Sequence, residues 1–218
     1  MIEAVIFDLD GLLLDTERLA LETGVEALAA LGHPVPLSVL QGVIGLDDKA
    51  GHKLICGWLE KELPYDDIYK PWDDAFLSMM ATGIPLRPRV KDTLNLLDDL
   101  NFPCAVATNS KTDDALWKLE KAGLEGRFDA VVGRDMAGGS KPLPHVYVFA
   151  ASLLGKEPSV CLALEDSDVG VRAALAAGMR VVQIPDLVPS QEGAAHHEAD
   201  SLMAALVWAG ITENLVSG

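Results

Sequence analysis

The sequence predicts an α/β fold in which a parallel sheet carries helices on both faces and a helical segment is inserted after the first strand. Two observations predict it. Short, apolar, β-branched runs alternate with longer helical patterns along most of the chain, as expected for strands buried on both faces and joined by crossover helices. From about Thr16 to Thr82 the alternation stops and the pattern is helical throughout.

The first run, Ala4 to Leu9, stops at acids and a glycine, so it reads as a buried strand whose C-terminal end is Asp8-Leu9-Asp10. In the segment that follows, Leu19, Val25, Leu28 and Leu31 mark one apolar stripe, and Leu54, Ile55, Trp58 and Leu59 mark another. Gly11–Asp15 bounds this segment on one side and Gly83–Pro88 on the other, with Gly83-Ile84-Pro85 suited to a hinge or linker. Beyond it, strand runs at Cys104–Thr108, Ala130–Val132, Val160–Leu164 and Val181–Ile184 interleave with helical patterns at Val90–Leu100, Thr112–Ala122, His145–Leu154 and Val169–Ala177. The expected division is residues 1–15 and 83–218 as an α/β core, with 16–82 as a helical insertion. There is no internal repeat and no low-complexity tract.

Composition narrows the function. Hydrophobic residues make up 50% of the 218, ample for a buried core. The formal net charge of −16 repels nucleic acid and anionic lipid, so neither is expected as a partner. No stretch of about eighteen consecutive apolar residues suggests a transmembrane helix. The N-terminus carries Glu3 where a signal peptide would carry Lys or Arg, so a mature, cytoplasmic protein is expected. Cys56, Cys104 and Cys161 are far apart and mostly flanked by apolar residues, as reduced buried thiols would be.

In open α/β sheets, ligands bind outside the C-terminal ends of the strands. Asp8, Asp10 and Gly11 follow the first run; Thr108, Asn109 and Ser110 end the second. Lys141-Pro142 precedes the fourth, which is followed by Glu165, Asp166 and Ser167. The fifth ends in Pro185-Asp186. A turn at Gly11 would let Asp8 attack a phosphorus while Asp10 handles a proton. A bare cluster of acids would repel itself and a phosphate; a divalent cation resolves this, and an all-oxygen donor set favours Mg²⁺. Lys141 would add fixed positive charge, and Thr108 with Asn109 would donate hydrogen bonds to phosphate oxygens.

These residues resemble the haloacid dehalogenase-like (HAD) phosphohydrolase superfamily, and in particular its β-phosphoglucomutase-like branch, which has a small helical cap after the first strand of a Rossmann-like core. The matched pieces are Asp8-Leu9-Asp10-Gly11 with Asp15-Thr16-Glu17, Thr108-Asn109-Ser110, Lys141-Pro142-x-Pro144, and Glu165-Asp166-Ser167-x-x-Gly170. The resemblance implies Asp8 as nucleophile and metal ligand, and Asp10 as general acid/base with its backbone carbonyl on Mg²⁺. It implies Asp166 as a direct metal ligand and Glu165 as a ligand through water or a partner behind it. It implies Thr108 and Lys141 as phosphate binders, with Asn109 contributing its backbone or side chain. Dehalogenases of the superfamily lack the second acid of the first motif, so Asp10 speaks against dehalogenation. The chain departs from many relatives at Gly139-Ser140-Lys141, at His145 where an acid is common, and at Pro88-Arg89 where Pro-Gly is common. His145 is expected to begin a helix.

Phosphatases and mutases of this branch share that machinery and differ in what holds the far end of the substrate. The mutases carry a His in the first cap helix, where this chain has Ala20, and an Arg three residues after a cap glycine, where Asp48 follows Gly45. Lys49 stands beside Asp48, and a lysine after the second motif is kept as Lys111. Two of three grips are missing, which favours hydrolysis over the mutase reaction; the expected partner is a small phosphorylated metabolite, and the expected assembly a monomer or weak homodimer. Lys49, His52 and Lys53 either face the substrate or form a solvated helix face. A regulatory protein on the same fold is the non-enzymatic alternative, but degenerate relatives usually lose the nucleophile or a metal acid, and this chain keeps both.

Overall fold

The computed structural model describes residues 1–44 and 46–212. They pack as two compact units: Met1–Asp15 with the described part of Leu86–Gly218, and the described part of Thr16–Pro85. Strand β1 (Ala4–Phe7) opens the first unit. Helices α1 (Thr16–Ala30), α2 (Leu37–Gln41), α3 (Asp48–Leu59) and α4 (Tyr65–Thr82) make the second. The first unit continues with α5 (Val90–Asp99), β2 (Cys104–Ala107), α6 (Thr112–Lys121), β3 (Ala130–Val132) and α7 (Arg134–Ala137). It ends with α8 (His145–Leu153), β4 (Cys161–Glu165), α9 (Asp168–Ala176), β5 (Arg180–Gln183), β6 (His197–Glu198) and α10 (Leu202–Trp208).

The described strands form one six-stranded sheet in the order β3-β2-β1-β4-β5-β6, with each pairing parallel. This is the α/β, Rossmann-like core that the alternating pattern predicts. The order reverses at β1, so the crevice between the carboxyl ends of β1 and its neighbours is the expected ligand site. Register fixes its floor: Phe7 is level with Val106 on β2 and with Leu164 on β4. On one face Ile6, Ala105, Ala107, Ala163 and Val181 pack against Tyr147, Ala150 and Ala151 of α8 and Val171 and Ala174 of α9. The other face takes the alternate residues, and Phe7 there meets Phe128 edge-on, ring centroids 6.0 Å apart.

In the helical unit, Trp72 of α4 packs its indole against α1. Its Nε1 donates to the Ala20 carbonyl at 2.7 Å, and a Cβ on Gly24 would fall 2.4 Å from its ring. Tyr65 and Tyr69 stack at 4.2 Å with His52 beside them. Leu28 and Ile55 from the two predicted stripes are fully buried, but Leu31 and Trp58 are about half exposed, at 45% and 55%. Leu31 lies beyond the end of α1 and Trp58 in the last turn of α3.

Other differences from the sequence pattern have local causes. The fourth strand starts at Cys161, because Pro158–Val160 closes a single 3₁₀ turn. Strand β6 lies outside the five runs expected as strands; it is two residues long, paired through Val182 and His197, and its His197 ring stacks on Trp208 at 4.8 Å. Arg89 adopts φ +64°, the left-handed conformation that glycine takes without cost, which is the physical content of the Pro88-Arg89 departure. His145 begins α8. All three cysteines are free and buried. No helix among the described residues is long and apolar enough to cross a membrane.

Candidate active site

The nucleophile candidate extends β1. The Asp8 amide donates to the Leu164 carbonyl at 3.0 Å, so the ladder with β4 runs one residue past the strand. The chain then turns at Gly11, where φ is +85° and the amide donates to the Leu14 carbonyl at 2.9 Å. A Cβ at Gly11 would sit 2.2 Å from Asp166 Oδ2, so glycine is needed both for the backbone and for the approach of the loop after β4. Glu165 ends β4 with no solvent exposure. Its carboxyl group fits against the first turn of α9 only because residue 170 is glycine: a Cβ there would lie 1.9 Å from its carboxyl carbon. Ser167 caps α9, accepting from the Gly170 amide at 3.2 Å.

Lys141 ties this group together. Its ammonium donates to Asp8 Oδ1 and to Glu165 Oε1, the latter at 2.5 Å. Tyr147 donates its hydroxyl to the same Glu165 oxygen at 2.5 Å, and the Lys141 ammonium lies 5.0 Å from the Tyr147 ring centroid. Ser167 approaches Glu165 Oε2 with its amide and hydroxyl, at 3.4 and 3.3 Å. Two carboxylates thus share one buried ammonium. Burial would depress Lys141, but Asp8 and Glu165 outweigh it and hold the ammonium above the ordinary lysine range. Burial pushes Asp8 up to about 7, against the pull of Lys141 and with the help of the Glu165 charge. Burial and the Glu165 charge also raise the Tyr147 hydroxyl well above its usual range.

Asp166 adds a third carboxylate. Oxygens of Asp8, Glu165 and Asp166 all lie within 4.8 Å of one another. Three acids against one lysine leave negative charge in excess in a buried place, which is costly without a cation. An all-oxygen set with few protein ligands fits a hard divalent ion of the Mg²⁺ kind.

The second motif approaches from β2. The Thr108 amide donates to the Val132 carbonyl at 3.0 Å, and its hydroxyl accepts from the Ser110 amide at 3.0 Å. Asn109 Oδ1 accepts from the Lys141 amide at 2.7 Å, so this side chain anchors the loop that presents Lys141. Asp10 accepts from Lys118 Nζ at 2.8 Å to both carboxylate oxygens and from Ser110 Oγ at 3.0 Å. Lys111 is exposed at the start of α6, and Lys49 is exposed near the start of α3 in the helical unit. His52 packs on the Tyr65 and Tyr69 rings. Asp186, after β5, is paired at 2.5 Å with Arg87, whose amide donates to the Leu13 carbonyl at 2.9 Å. Gly45, invoked in the comparison with mutases, lies outside the described residues.

Known proteins share this architecture. The family model described as haloacid dehalogenase-like hydrolase matches residues 2–178. The chain belongs to the haloacid dehalogenase-like hydrolase family. Among its HAD relatives, the Bacillus subtilis protein YhcW is 36% identical over 192 residues, covering 86% of each chain. A phosphorylated carbohydrates phosphatase of Thermotoga maritima is 29% identical over 177 residues, covering 81% of this chain and 82% of that one. A HAD family hydrolase from Deinococcus radiodurans, whose crystal structure holds phosphate and sodium, has a TM-score of 0.82 at 28% identity, covering 97% of this chain and 98% of that one. The chain is accordingly a HAD-like phosphoric monoester hydrolase.

Two side chains of this HAD site escape a sequence reading. Tyr147 sits in the apolar pattern of α8 and reads as core; its signal is a polar tip in a run where a buried hydroxyl must find a partner. Lys118 lies two helical turns beyond Lys111, the same face of α6 by spacing, and nothing in its neighbours distinguishes it from a solvated lysine.

Proposed function

We propose that this hydrolase cleaves a small phosphate monoester, with sugar phosphates as the favoured class, through a phosphoryl group carried on Asp8. One observation supports this above others: the buried Asp8 carboxylate at the end of β1, bonded to Lys141 and grouped with Glu165 and Asp166. A carboxylate oxygen of Asp8 attacks phosphorus, and the bond to the ester oxygen breaks. Asp10 gives that leaving oxygen a proton. Water then attacks the aspartyl-phosphate, Asp10 takes the proton from water, and phosphate leaves with Asp8 regenerated. Lys141 and Thr108 hold the phosphoryl oxygens, and Asn109 keeps the Lys141 loop in place. Asp8, Asp166 and the Asp10 carbonyl are the assigned Mg²⁺ ligands, with Glu165 behind them or joined through water. Bound there, the ion neutralises charge and orients the phosphate. Glu165 and Tyr147 keep the lysine aimed. The helical residues 16–82 are assigned the part of a cap that sorts substrates, with Lys49 and Lys111 as candidate contacts. The name of the Thermotoga relative supports the carbohydrate class, and Ala20 and Asp48 support hydrolysis over mutation of the sugar phosphate.

The test is a panel of phosphorylated metabolites assayed with Mg²⁺ and with chelator. Asp8→Asn should abolish turnover with the fold intact, and Asp166→Ala should raise the Mg²⁺ concentration for half-maximal rate by at least about tenfold. Turnover retained by Asp8→Asn, or an unmoved Mg²⁺ titration in Asp166→Ala, would overturn the corresponding role.

A further inference from the structure

Asp10 must hold one orientation to serve both half-reactions, and the structure shows what holds it. Lys118 Nζ lies 2.8 Å from Asp10 Oδ1 and 2.8 Å from Oδ2, and 3.0 Å from Ser110 Oγ. Ser110 Oγ in turn donates to Asp10 Oδ2 at 3.0 Å. An ammonium has three N–H donors, and here each has an acceptor. The serine hydroxyl spends its proton on the carboxylate and its lone pair on the lysine. The three groups close a triangle between the loop after β1, the end of β2 and the second turn of α6. The Lys118 side chain is 17% exposed and that of Asp10 31%. A pair this open to water contributes little to stability, so tethering is the larger consequence of the contact.

We propose that Lys118 is a positioning residue, which with Ser110 fixes the Asp10 carboxylate for proton transfer to the leaving oxygen. The lysine also faces the negative charge that grows on Asp10 as its proton departs, so its effect is largest where that transfer matters most. The proposal rests on the reading of Asp10 as proton donor, and the choice of ester separates the two. An aryl phosphate such as para-nitrophenyl phosphate expels a stable phenolate that needs no proton. A hexose phosphate expels an alkoxide that does.

The experiment compares kcat/KM for these two esters, with Mg²⁺, in the parent protein, Lys118→Met, Lys118→Arg and Ser110→Ala. Lys118→Met should lose at least about tenfold more on the hexose phosphate than on the aryl ester, within the range that one general acid contributes. Lys118→Arg should recover most of that difference, since a guanidinium fork also fits both carboxylate oxygens. Ser110→Ala should show a smaller loss with the same preference. Equal losses on both esters, or no loss, would overturn the proposal. If Lys118→Met fails to fold, the ester preference in Ser110→Ala decides alone. A parent that cleaves neither ester sinks the hydrolysis reading and this one together. A parent active on both, with Lys118 variants blind to the ester, sinks only this one.

Discussion

At the scale of single residues, the site is built around charges that water cannot reach. Glu165 is fully buried, and its carboxylate is tolerable there because Lys141 and Tyr147 both donate to Oε1. Its room comes from Gly170. Gly170→Ala would put a methyl 1.9 Å from the carboxyl carbon, with no solvent into which the side chain could retreat. We expect a loss of about 1–3 kcal/mol from overpacking, together with loss of turnover, because Glu165 cannot shift without moving Lys141. Urea unfolding and a phosphatase assay check this; a variant as stable and active as the parent would show that the carboxylate is free to move. Asp8, Glu165 and Asp166 were legible in the sequence because strand ends must converge in a parallel sheet, and each lies at or beside such an end; Lys141, in the segment between α7 and α8, was legible as a lysine beside a proline in an irregular stretch. Asp10 was legible as an acid but not as a tethered one. Its anchor comes from within a helix, where lysines are ordinarily solvated.

At the scale of elements, glycine has opposite meanings in two helices of the same unit. A Cβ on Gly24 of α1 would meet the Trp72 ring at 2.4 Å, whereas a Cβ on Gly57 of α3 would find nothing within 4 Å. Alanine gains about 1 kcal/mol over glycine in a helix interior. At Gly57 that gain is unopposed, less some fraying near the helix end. At Gly24 the methyl must displace an indole that is hydrogen-bonded to Ala20, costing about 1–3 kcal/mol. Gly57→Ala should therefore raise the denaturant midpoint and Gly24→Ala should lower it. The same sign for both would mean that helix propensity, not packing, governs this unit. The buried strands follow from short apolar runs, which is why β1, β2, β4 and β5 fall within a residue or two of their sequence positions. Strand β6 does not, because two polar residues carry no period and their placement comes from backbone pairing to β5 and from Trp208.

At the scale of the whole molecule, 33 acids face 17 lysines and arginines, giving a formal charge of −16. Two of the lysines are held among the acids of the candidate site: Lys141 is buried between Asp8 and Glu165, and Lys118 is paired with Asp10. Elsewhere the surface repels itself, and compactness has a cost that falls with screening. The Debye length shrinks from about 30 Å at 0.01 M salt to about 8 Å at 0.15 M. Surface repulsion acts over such distances, while the Lys141 contacts are too short and too buried to be screened as strongly. Potassium chloride, with chelator present to remove divalent ions, should therefore stabilise the protein. Relief of about 1 kcal/mol corresponds to a rise in Tm of roughly 2–4 °C for a chain of this size. Thermal unfolding at low and near-physiological salt measures it. A Tm that stays level or falls would mean that attractive surface pairs, such as Arg127 with Asp98 and Lys156 with Glu3, outweigh the net repulsion.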